Sequence, residues 1–209
     1  YNQVHIPGVN ARGTNYIVTK EYVYVIEGNK CRHLNIESGD LVNTFETGED
    51  STKNLGYIGV YKNYLILGNN FSEYSNVAIP DTTKEDIKAA NYDVTASKEL
   101  FILDRFSGKK LWSIAANHGF IHNSVIAGDD ILFCLDKLPQ NFETKLRRRG
   151  EAPPPGSRLL YLDINTGMKI NEETKNIFGT WLGYSAEHRF LLQAPAPSSD
   201  MLNGDEGNR

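Results

Sequence analysis

Two histidines four residues apart, His118 and His122 within NHGFIHN, form the most conspicuous cluster of ligand-type side chains in the sequence. On a helix that spacing would let both grip one metal ion. On a strand it sets them about 13 Å apart, so they share an ion only if the chain bends at Gly119. Histidines that line a surface or accept hydrogen bonds are therefore expected here, with no metal site. The two cysteines, Cys31 and Cys134, lie in unrelated apolar stretches without CxxC or Cys/His spacing and read as buried free thiols. Nucleophile elbow, phosphate loop, haem-attachment and HExxH patterns are all missing from these residues. Arg147, Arg148 and Arg149 precede PPPG and read as a solvated charge run.

The acids recur in a pattern that explains them differently. Three segments, CRHLNIESGDLVNTF from Cys31, LFILDRFSGKKLWSI from Leu100 and RLLYLDINTGMKI from Arg158, share Leu, then Asp or Asn, two residues, Ser or Thr, and Gly. Asn35, Asp104 and Asp163 can accept backbone N–H bonds from residues two or three further on, while Gly39, Gly108 and Gly167 supply the positive φ that ends the turn. They are turn-formers rather than catalysts. Apolar strand, polar turn and apolar strand also alternate around Lys20-Glu21, Lys62-Asn63, Gly128-Asp129 and Glu187-His188, four β-hairpin signals.

Spacing turns these signals into an architecture. From Gly39 to Lys62, Gly108 to Asp129 and Gly167 to Glu187 the intervals are 23, 21 and 20 residues, nearly constant. From Lys20, Lys62 and Asp129 to the next turn glycine they are 19, 46 and 38, so all the length variation falls in one connection. A four-stranded unit, strands A and B forming the hairpin and C and D flanking the glycine turn, repeated at about 40 residues, is the signature of a β-propeller blade. The expected fold is all-β: four-stranded antiparallel blades over approximately 12–46, 55–116, 120–173 and, incomplete, 178–194, a partial ring of about three and a half blades. Residues 195–209 read as a polar tail or a linker to further blades. The insertions, Asn69 to Lys98 with a helix candidate capped near Thr82 or Thr83, and Lys137 to Ser157, lie between strands B and C and share one face. On that face the starts of the inner strands would bring Arg12, Asn15, Tyr57, His118, His122, Asn123, Trp181 and Tyr184 to the channel mouth, the default ligand site. For Tyr57, Trp181 and Tyr184, packing between blades is the alternative.

Composition agrees with many short strands: 11 Tyr, 9 Phe and 18 Gly in 209 residues. A net charge of −4 gives no electrostatic reason to expect nucleic acid, and no apolar run approaches the roughly 20 residues of a membrane span. The start at Tyr1, with no initiator Met or signal segment, reads as a piece of a longer product.

LFILDRFSGKKLW and LLYLDINTGMK resemble the repeat of pyrroloquinoline-quinone (PQQ)-like propellers: an apolar strand, Leu-Asp, two residues, Thr-Gly, and a strand carrying Trp. Trp112 fits the tryptophan position; Phe45 and the Ile170–Glu173 region supply no Trp. RGTNYIVT, LGYIGVYKNYLILG, ILFCLDKLP with KLRRRG, and TWLGYSAEHRFLLQA are similar to the PQQ-binding-like propeller proteins of planctomycete-type bacteria. The resemblance implies a periplasmic or otherwise extracytoplasmic protein, serving as a binding or scaffold module whose partner is a protein, the remaining blades or a small ligand. The alternative it implies is part of a quinoprotein dehydrogenase that oxidises alcohols or sugars with PQQ and calcium. Such a site takes calcium on Glu, Asn and Asp oxygens beside the quinone and a catalytic Asp, often with a disulfide of adjacent cysteines. No cofactor is evident in these residues, which contain no adjacent cysteine pair.

Overall fold

The computed structural model describes residues 15–47, 55–73, 92–138, 143 and 146–194; Arg12, the helix expected near Thr82 or Thr83 and the tail from residue 195 lie outside them. The strands are β1 (Tyr16–Val18), β2 (Tyr22–Glu27), β3 (Lys30–Asn35), β4 (Leu41–Glu46), β5 (Leu55–Tyr61), β6 (Tyr64–Glu73), β7 (Tyr92–Asp104), β8 (Lys110–Gly128), β9 (Ile131–Asp136), β10 (Arg158–Asp163), β11 (Lys169–Glu173), β12 (Trp181–Ser185) and β13 (Phe190–Ala194). Every pairing is antiparallel between sequence neighbours, first in a sheet β1-β2-β3-β4, then in a sheet β5 to β11, then in the hairpin β12-β13. Among the described residues no helix is long and apolar enough to cross a membrane.

The sheets stack face to face, and the sequence shows why. Leu65, Ile66 and Leu67 of β6, Leu100 to Leu103 of β7 and Leu132 to Leu135 of β9 are buried without alternation, the pattern of a strand covered on both faces. Alternate side chains then feed different cores. Leu65, Leu67, Phe101 and Leu103 pack against Tyr24, Cys31 and Phe45 of the first unit. Ile66, Leu100 and Ile102 pack against Leu132, Cys134, Leu160 and Leu162 of the third. Phe133, Leu135 and Leu159 face Leu182 of the final hairpin. This radial succession of sheets around β1, β5, β8 and β12 is a partial β-propeller that does not close. Cys31 and Cys134 sit in separate cores as free thiols, and burial pushes the Cys31 thiol up to about 12.

The C–D turns carry the contacts between units. Asn35 Oδ1 accepts from the N–H groups of Glu37 and Ser38, Asp104 Oδ1 from Phe106 and Ser107, and Asp163 Oδ1 from Asn165 and Thr166, at 2.8–3.2 Å. Those donors hold the Asp104 and Asp163 carboxyls below the ordinary carboxylate range. Gly39, Gly108 and Gly167 follow at φ 74, 73 and 73°. The bare glycine surface then receives an aromatic ring from the preceding unit. Trp112 of β8 lies over Gly167, where a Cβ would come 2.7 Å from its Cδ2, and its Nε1 donates to Ile164 O at 2.8 Å. Phe45 of β4 covers Gly108 so closely that a Cβ there would overlap its ring. The place that Trp112 takes over Gly167 is thus filled in the first unit by a phenylalanine two positions later in register. Gly39 has no side chain of the described residues within 4 Å of where its Cβ would be.

The second and third units differ from separate sheets in one respect. Their outer and inner strands are the two halves of β8, 19 residues long, so hydrogen bonding runs uninterrupted from β5 to β11. Its first half pairs with β7 from Glu99↔Ala115 to Leu103↔Lys110, its second with β9 from Val125↔Cys134 to Gly128↔Ile131. Between them the register slips, at Ser97/Glu99 against β7 and at Phe120/Val125 against β9. The extra residues bulge where the chain meets Pro155 and Gly156 of the inserted loop.

Candidate functional site

That bulge contains His118, His122 and Asn123, and the structure separates its two histidines. Asp136, at the end of β9 and fully buried, accepts four hydrogen bonds: Asn117 N–H at 2.7 Å and Arg158 Nε at 2.9 Å on Oδ2, His118 N–H at 2.9 Å and Gly119 N–H at 3.1 Å on Oδ1. Gly119 O in turn accepts from Lys137 N–H at 3.1 Å. Three successive amides aimed at one carboxylate make an anion-binding nest, here filled by the protein itself. The nest turns the chain so that His118 and His122 leave in different directions.

His122 is 3% exposed and its Nε2 lies 2.8 Å from the hydroxyl of Ser97, itself fully buried on β7. Its ring stands 5.5 Å from that of Tyr57 on β5, whose hydroxyl donates to Val125 O at 2.8 Å across the gap between units. Burial, with the Cys134 thiol nearby, pushes the Tyr57 phenol well above its ordinary range. Gly68 makes this cluster possible, because a Cβ there would overlap Ser97 and approach Tyr57 Cβ to 2.7 Å. A Ser–His pair of this geometry resembles a nucleophile and its base, yet both members are sealed from solvent, so it ties two units together instead.

His118 points to the inserted loop, its Nε2 3.0 Å from Pro155 O, while Asn117 Nδ2 donates to Gly156 O at 3.1 Å. Lys98 Nζ caps the same bend, donating to Asn117 O at 2.9 Å and His118 O at 3.2 Å. The PPPG segment is thereby strapped onto the rim of the inner strands. The loop is anchored at its other end by Lys137, 8% exposed, whose ammonium lies 3.3 Å from Glu143. Burial raises the Glu143 carboxyl, but the Lys137 and Arg147 charges outweigh it and leave the group below its usual value. Arg147 reaches Glu143 at 3.0 Å, and Arg147, Arg148 and Arg149 are all exposed.

The remaining candidates do not join this cluster. Tyr184 packs on Gly128 and Phe133, with its hydroxyl donating to Asp129 at 2.7 Å, so it belongs to the contact between units. Trp181 is 37% exposed at the start of β12, its ring lying over Gly183. Asn15 is exposed beside β1, and its carbonyl accepts from Ile26 N–H at 2.7 Å. Asn123 is half-buried in the bulge. Asp136 and Ser97 escaped sequence reasoning; the only hint of the first was an acid ending the apolar run FCLD.

A calcium ion beside a quinone needs several free oxygen ligands, carboxylates among them. The buried carboxylate at the rim, Asp136, has its oxygens committed to four donors, and among the described residues no three His, Cys, Asp or Glu side chains converge as a metal set. These residues do not fit the group.

No family profile and no curated protein sequence matches the chain. Solved structures do. A quinohemoprotein alcohol dehydrogenase from Pseudomonas putida HK5 superposes with a TM-score of 0.52 at 12% identity, over 87% of this chain and 28% of that one. The dihydro-heme d1 dehydrogenase NirN, solved with DHE, gives 0.52 at 11% identity, over 85% and 32%. A chain of the mitotic checkpoint complex gives 0.51 at 13% identity, over 88% and 46%. The chain thus spans less than half the length of each. At these identities the likeness shows the fold, a β-propeller, and nothing finer.

Proposed function

We propose that this chain is the binding or scaffold portion of an extracytoplasmic propeller of the PQQ-like, planctomycete-type group, and that it engages a protein partner, with further blades completing the ring. One observation carries the reading: at the rim, the polar groups are spent on structure. His122 holds Ser97, Tyr57 holds Val125 O, Asp136 holds the bend, and Asn117 with His118 holds the PPPG strap. Along residues 146–157 this face presents Arg148, Arg149 and Pro154 exposed. Preorganised loops on one face of a rigid repeat scaffold are suited to recognition, because little conformational freedom remains to be lost on binding.

On the opposite face the A–B and C–D turns of each unit bond each other, Ile36 N–H to Glu21 O, Arg105 N–H to Asn63 O and Ile164 N–H to Asp130 O, at 2.9–3.1 Å. Lys62 and Asp130 bridge neighbouring units at 2.6 Å. Crosslinking of the full-length protein in intact cells, mapped by mass spectrometry, tests the proposal. Partner crosslinks are expected on residues 146–157 and Lys98, and links confined to the turns at Gly39, Gly108 and Gly167 would refute it. Titration with PQQ and calcium, read by absorbance and by dye-linked oxidation of ethanol and glucose, is expected to be silent. Turnover in that assay would establish the dehydrogenase reading instead.

A further inference from the structure

His33 lies 2% exposed in a box of aromatic rings where the first unit meets the second. Tyr24 stacks on it at 4.8 Å and 10°, Tyr22 meets it edge-on at 4.2 Å, and Phe45 lies 5.3 Å away. Among the described residues neither ring nitrogen has a hydrogen-bond partner. The same rings make the contact between units: Phe45 covers Gly108, Tyr24 hydroxyl donates to Arg105 O at 3.0 Å, and Tyr22 meets Phe106 edge-on at 6.3 Å.

Among the described residues, the groups facing the imidazole leave it no counter-charge. From its own sheet come the rings of Tyr22, Tyr24 and Phe45, none of them an anion. From the second unit comes the Arg105 guanidinium, which donates to Tyr24 hydroxyl at 3.3 Å and pairs with Glu21 at 3.5 Å. Ring faces attract a cation, but they accept no N–H in the imidazole plane. A protonated His33 would carry two buried donors without acceptors beside a second positive charge.

We propose that His33 is an acid-sensitive latch: protonation undocks β1–β4 from the Arg105–Gly108 turn and uncovers the apolar face of Leu65, Leu67, Phe101 and Leu103. Burial first, and Arg105 second, hold the imidazole below its ordinary value. The sign follows from linkage. A histidine depressed in the docked state contributes its stability in full above the undocked value near 6.5, and loses it as pH falls from there towards the docked value. Over that window the docking equilibrium weakens by up to about tenfold per pH unit.

The test is an NMR titration of the full chain from pH 8 to 5, following the His33 ring proton and amide exchange. Protection factors at Tyr24, Phe45 and Gly108, corrected for the intrinsic pH dependence of exchange, are expected to fall below pH 6.5 while those at Leu132 and Leu160 hold, and His33→Phe is expected to remove the fall. A His33 that titrates at the ordinary value with protection unchanged overturns the latch, as does a His33→Phe protein that opens in acid like the wild type. If His33→Phe does not fold, the wild-type titration alone decides.

Discussion

Asp136→Ala is expected to lower the stability of the protein by about 3–5 kcal/mol, the range for breaking a buried charged pair by deleting one partner. The loss has two identifiable sources. Three backbone N–H groups, those of Asn117, His118 and Gly119, lose their acceptor. Arg158, whose side chain is 18% exposed, loses its close carboxylate partner and retains Glu172 at 3.8 Å. Asp136→Asn keeps the shape and part of the accepting capacity, and is expected to cost roughly half as much. Urea unfolding followed by circular dichroism measures both. A midpoint shift for Asp136→Ala worth less than about 1 kcal/mol would mean that water satisfies these amides and that the carboxylate does not hold the bend.

The second large effect compares two glycines with the same backbone and different surroundings. Gly39 and Gly108 close equivalent turns at φ 74 and 73°, but among the described residues only Gly108 of the two lies under an aromatic ring. Gly39→Ala is expected to cost about 1–2 kcal/mol, the strain of a left-handed alanine. Gly108→Ala carries that strain and also displaces Phe45, bringing its cost to about 2–5 kcal/mol. The difference between the two, read from the same unfolding midpoints, isolates the docking of one unit on the next. Equal costs would show that the ring yields without loss and that this contact does not fix the spacing of the units.

These two sites also mark the boundary of what the amino-acid order discloses. The turns at Asn35–Gly39, Asp104–Gly108 and Asp163–Gly167 are legible because everything they need, an acceptor, two donors and a positive φ, lies within five residues. Their recurrence carries the blade architecture, and unbroken apolar runs such as LFILD disclose strands covered on both faces. The site depends on longer reach. Asp136 meets amides 17 to 19 residues earlier and a guanidinium 22 residues later, and Ser97 meets His122 at a separation of 25. No local pattern encodes such pairs. Phe45 eluded the repeat for a related reason: two residues along a strand restore the same face, so a docking ring can move by two and keep its task.

β8 has a consequence for how this molecule could have grown. Repeat proteins gain and lose length by copying or deleting whole units at the seams between them. Here the seam between the second and third units is the interior of one continuous strand, braced from the next strand by Asp136. An excision there would sever a hydrogen-bonded ladder, so gaining or losing a unit at this seam would cost more backbone bonding than at the junctions on either side.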